Sequence, residues 1–69
     1  FNIIDQKNNE IQNAYFEGCG LNNYELINYF QNSNIFKRAG YAKVLEERGL
    51  LKKDKNGKYI PTKEFYYYN

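Results

Sequence analysis

The sequence predicts one small α+β domain in which three helices are followed by a β-hairpin of two or three strands. Three observations lead there. Apolar residues recur at three-to-four spacing in three separate segments. Glycines or polar runs divide those segments, and an Asn-Gly pair, Asn56-Gly57, sits between two short runs late in the chain. A chain of 69 residues holds one domain with a small core, so stability must come from good packing or from a partner.

The first helix is expected over about residues 5–17. Ile4, Ile11, Ala14 and Tyr15 give the spacing, Asp5 offers a cap, and Gly18 and Gly20 end it. The segment Cys19 to Leu21 is short enough for a single extended bridge, which would supply a third strand. A second helix over about 23–31, capped by Asn22 or Asn23, presents Leu26, Ile27 and Phe30 on one face. The polar break Gln31-Asn32-Ser33-Asn34 then leads into the third.

That third helix, about 35–48, is the segment around which the chain is organised. The Arg38 stem, Ala42 and Leu45 follow one face, flanked by Tyr41 and Val44, while Lys37, Gly40, Lys43 and Glu47 fall towards the other side. Gly40 costs about 1 kcal/mol against alanine in a helix interior. Either the helix starts near Gly40, or a backbone passes close to it. Arg48 complements the helix dipole, and Gly49 can adopt the left-handed conformation that stops the helix.

The hairpin is expected over about 50–60, with Lys52, Lys53, Lys55 and Lys58 around its tip. Pro61 closes its second strand or confines it to an edge. Thr62 to Asn69 reads either as a helical turn capped by Thr62 or as a tail whose Phe65-Tyr66-Tyr67-Tyr68 cluster packs back on the body.

The net charge of +2 is unevenly distributed. Residues 1–34 carry one lysine against four acids, and residues 35–69 carry nine lysines and arginines against four acids. A one-sided positive field suits a polyanionic partner. With no histidine and a single cysteine, the chain lacks the parts of a nucleophilic triad, a structural zinc site or an internal disulfide. Glu46 and Glu47 point about 100° apart on a helix and do not converge on a substrate. These features argue against an enzyme and against a cofactor. No apolar run is long enough to cross a membrane, so the expectation is a soluble cytoplasmic protein. The start at Phe1, without methionine, suggests a fragment or processed product of a larger parent.

Taken in order, Tyr24-Glu-Leu-Ile-Asn-Tyr-Phe, the break Gln-Asn-Ser-Asn, and Val44-Leu-Glu-Glu-Arg-Gly-Leu-Leu-Lys-Lys-Asp-Lys-Asn-Gly-Lys-Tyr resemble the winged helix-turn-helix superfamily. The resemblance spans nearly the whole chain and departs from the family at Phe36, Arg38 and Gly40. Lys43 to Thr62 is more loosely similar to the C-terminal domains of phage antirepressors. The superfamily resemblance implies sequence-specific binding of double-stranded DNA, with the third helix in the major groove and a basic wing on the backbone. The chain would then be a transcriptional regulator, or an accessory protein of plasmid or phage replication, segregation or transfer.

On that implication, Lys37, Arg38 and Lys43 are the helix candidates. Arg38 is able to read guanine, unless its stem packs on the core and its head is paired to a carboxylate. Lys52, Lys53, Lys55, Asn56, Lys58 and Tyr59 are the wing candidates. A homodimer would help so small a domain. The alternative function is a winged-helix protein-interaction module that uses the tyrosine-rich surface.

Overall fold

The computed structural model describes residues 3–68, with side chains described from Asn8 onward. Helices α1 (Ile3–Cys19), α2 (Asn23–Asn32) and α3 (Ile35–Glu47) are followed by strands β1 (Leu51–Lys53) and β2 (Tyr59–Pro61) and a 3-10 turn (Lys63–Tyr67). The domain is α+β, three helices and then a two-stranded antiparallel hairpin, an order compatible with a winged-helix shape. Among the described residues, no helix is long and apolar enough to cross a membrane.

Local chemistry sets each boundary. Asn22 caps α2 through a reciprocal box: its Oδ1 accepts from the Glu25 amide at 2.9 Å, and its own amide donates to Glu25 Oε1 at 3.2 Å. The break before α3 is shorter than the sequence suggested, because α2 runs on through Asn32 and leaves only Ser33 and Asn34 as linker. Asn32 stays helical while its side-chain amide bonds back to the Asn28 carbonyl at 2.8 Å. Asn34 caps α3, accepting from the amides of Phe36 and Lys37. At the far end, Gly49 takes φ +78° while the Leu50 amide reaches back to the Leu45 carbonyl at 2.8 Å.

Three expectations need correction. Asp5 does not cap α1, since the helix is already under way at Ile3; the core role expected of the Ile4 side chain lies outside the described residues. Cys19 to Leu21 is not a strand. Cys19 closes α1, and the amides of Gly20 and Leu21 return to the Glu17 and Gly18 carbonyls, so their hydrogen-bonding capacity goes to the helix end instead of a third strand. In the hairpin, only Gly57 has positive φ, at +80°. The turn therefore runs Asp54-Lys55-Asn56 with right-handed corners followed by a left-handed glycine, and Asp54 Oδ1 holds it by accepting from the amides of Asn56 and Lys58.

The core gathers on α3, which packs against α1, α2 and β1. Leu26, Ile27, Tyr41, Ala42, Val44 and Leu45 are its centre, with Leu50, Leu51 and Phe65 closing the lower side. Each large apolar side chain buried there contributes about 1.5–3 kcal/mol. Gly40 answers the question raised by its position. The helix is not shorter; α1 crosses it there, so that a Cβ on Gly40 would overlap the Ile11 carbonyl and come within 2.8 Å of both Ala14 Cβ and Tyr15 N. Gly40 thus lies in the α1 contact and not on an outer face, and α3 is buried over a wide arc.

Candidate nucleic-acid interface

With α1 on one flank and α2 on the other, α3 exposes a narrow front. Ile35, Ala39 and Lys43 are exposed and succeed one another every four residues, each displaced about 40° around the axis from the last. Glu46 lies eleven residues after Ile35, only about 20° from it around the axis, and so continues the same front. Its carboxylate accepts from the Tyr59 hydroxyl at 3.4 Å, a long bond that nevertheless brings β2 beside this end of α3. Burial, and then the nearby Glu46 charge, raise the Tyr59 pKa above its ordinary value, so the hydroxyl keeps its proton.

Strand register sorts the hairpin's side chains. Lys53 pairs with Tyr59 and Lys52 with Ile60. Because side chains alternate along a strand, Lys53 and Tyr59 share the face that also carries buried Leu51, while Lys52 and Ile60 share the other. Lys53 Nζ sits 5.2 Å from the centre of the Tyr59 ring, a cation-π contact that fixes one lysine beside the helix front. Lys55, Asn56 and Lys58 occupy the turn, all exposed. Four lysines against Asp54 leave the hairpin strongly basic, and the Asp54 carboxylate is already committed to the turn amides. Among the described residues, Lys52, Lys55 and Lys58 have no ion-pair partner.

Lys43 falls at the α1 edge of α3's front, where it lines a hollow of about 440 Å³ with Ile11, Gln12, Tyr15 and Phe16 of α1. Lys52, Lys53, Lys55, Asn56, Lys58 and Tyr59 all fall on the hairpin, Tyr59 and Lys53 on its face towards α3. Lys37 and Arg38 do not join them. Lys37 is about 160° around the helix from Ala39 and lines a hollow of about 230 Å³ with Glu10, Glu17 and Tyr41, on the α1 side. Arg38 turns to α2: its Nε donates to the Phe30 carbonyl at 3.1 Å and its guanidinium lies 5.6 Å from the Phe30 ring centre. The partner of its head is a carbonyl and an aromatic face, not a carboxylate.

Two features of the frame were not foreseen. Arg48 donates to Asn23 Oδ1 at 2.9 Å and to the Gly18 and Cys19 carbonyls at 3.2 and 3.3 Å, so it caps the end of α1 and joins all three helices. Between α1 and α3 there are two reciprocal tyrosine-glutamate bonds. Tyr15 on α1 donates to both carboxylate oxygens of Glu47 at 2.8 and 2.9 Å, and Tyr41 on α3 donates to Glu17 on α1. The hydrogen bond to Glu47, then desolvation, pushes Tyr15 up to about 12; burial, then the bond to Glu17, pushes Tyr41 up to about 12. No periodicity rule pairs residues 24 or 32 positions apart.

Compared with models of known protein families, with curated proteins and with solved structures, the chain matches none.

Proposed function

We propose that the domain binds double-stranded DNA, with the hairpin lysines on the phosphate backbone and the front of α3 directed at the major groove. The observation that carries this is the junction of β2 and α3. The Tyr59–Glu46 bond sets β2 beside the end of the outward strip of α3, with Lys53 against the Tyr59 ring, so the hairpin that carries four lysines adjoins a presentable helix. Lys52, Lys55 and Lys58 contact phosphates, Lys53 and Tyr59 lie nearer the helix, and Lys43 is the one cation on the strip itself. Transcriptional regulation, or a part in plasmid or phage replication, segregation or transfer, is the biological setting we infer for such binding.

A second reading rests on a separate observation. Tyr66 and Tyr67 are 63% and 69% exposed although Phe65 beside them is buried, and Tyr24 meets Tyr68 edge-on at 5.1 Å between ring centres. Such an aromatic surface suits a protein partner or a second copy of the chain. Fluorescence anisotropy of a labelled random duplex, titrated at several salt concentrations, decides between the readings. The DNA reading expects binding that weakens log-linearly with salt. Absence of binding at low salt contradicts it and leaves the tyrosine surface.

A further inference from the structure

Resting on the double-stranded DNA reading, we infer that the duplex this domain selects is marked by thymine methyl groups in the major groove, met by Ile35 and Ala39. The leading half of a helix docked in the groove is the part that approaches base edges. In α3, every side chain there that is able to form paired hydrogen bonds with a base is turned elsewhere. Asn34 spends its oxygen on the amides of Phe36 and Lys37. Lys37 faces the acids of α1, and Arg38 is held on the Phe30 carbonyl and ring. What remains on the front of the first two turns is Ile35, 73% exposed, and Ala39, with half-buried Phe36 at the edge towards α1.

An isoleucine so exposed at the start of a helix has no partner in the core to account for it. The helical geometry sets it about 180° from buried Val44, nine residues on. Among base-pair edges in the major groove, the thymine 5-methyl is the apolar feature, and an apolar side chain is its matching contact. The same side chain pressed on a G·C edge would cover donors and acceptors without pairing them, which is unfavourable. Charge complementarity between the hairpin lysines and the phosphates holds the helix at the groove, and the methyls then select the site.

The test compares a duplex rich in A·T pairs with the same duplex carrying deoxyuridine in place of thymidine, which removes the methyls and leaves every hydrogen-bonding group. Anisotropy titration should show weaker binding to the uracil duplex, by about fourfold for each methyl contacted. Ile35→Ala should abolish most of that difference while keeping the salt dependence of the wild type. Equal affinity of the wild-type protein for the two duplexes overturns the inference and leaves DNA binding intact. A thymine preference that persists unchanged in Ile35→Ala overturns the assignment to this side chain. Binding to neither duplex at low salt overturns the DNA reading itself, and leaves Ile35 as a contact for another kind of partner.

Discussion

The seam between α1 and α3 and the face made by the hairpin with the front of α3 treat their charged side chains in opposite ways. In the seam, tyrosine and glutamate are matched across two helices, Tyr15 with Glu47 and Tyr41 with Glu17, around a glycine that lets the backbones approach. At the hairpin, lysines crowd one turn with a single acid whose oxygen is taken by backbone amides. The seam satisfies its polar groups internally and fixes the frame. The hairpin leaves its charges to solvent or to a ligand. Exposed lysines add little to stability, so this difference separates what holds the fold from what is available for function.

The seam is most vulnerable at Gly40. Gly40→Ala places a methyl against backbone atoms of α1 that have no rotamer to move. Overpacking should outweigh the roughly 1 kcal/mol gained in helix propensity and cost about 2–3 kcal/mol net, or prevent folding. Urea denaturation measures it, and a variant as stable as the parent would mean that the close crossing is not required. Arg48→Ala removes three hydrogen bonds from the junction of the helices. These are partly solvated, so a loss of about 1–2 kcal/mol is expected in the same assay. Tyr41→Phe removes the hydroxyl and with it the bond to Glu17, a loss of about 1 kcal/mol. It should leave the helical content measured by circular dichroism unchanged.

Alkaline pH probes the seam without mutation. A tyrosine whose folded pKa stands above the ordinary value of 10 stabilises the fold fully below pH 10, and that contribution is lost as pH rises towards the folded value of about 12. Stability should therefore decline between pH 10 and 12, less steeply in Tyr41→Phe. Unfolding midpoints across that window report it, and a flat profile would contradict the two bonds. Hairpin lysine substitutions should move the midpoint at neutral pH least of all.

Much of the frame was legible in the chain because its signals are local. The α2 cap at Asn22, the Leu26-Ile27-Phe30 face, the stop at Gly49 and the hairpin after Leu50 each depend on residues a few positions apart. Thr62 marks the limit of that reading: the last turn is helical, as one expectation held, but the Thr62 hydroxyl donates to the Gly49 carbonyl at 2.7 Å instead of capping it. The arc of α3 was harder to draw. Helices on both flanks bury more of it than one face, so its apolar residues do not mark a single stripe, and Gly40 looks outward until α1 is placed against it. The hairpin lysines were visible as a cluster. That Arg38 is committed to α2 and that Lys37 lies on the α1 side follow only from how the helices pack.

If DNA binding resides on the hairpin side and not merely in total positive charge, individual lysines must differ in what they do. Salt-dependent anisotropy of one labelled duplex with the wild type, with Lys55→Ala/Lys58→Ala and with Lys37→Ala tests this most directly. The hairpin variant should bind more weakly, with a log-log salt slope shallower by about two, one for each lysine taken away from the phosphates. Lys37→Ala should keep the slope of the wild type. Equal slopes for the wild type and the hairpin variant, or a weakening in Lys37→Ala as large as in the double variant, would contradict the placement of DNA on the hairpin side.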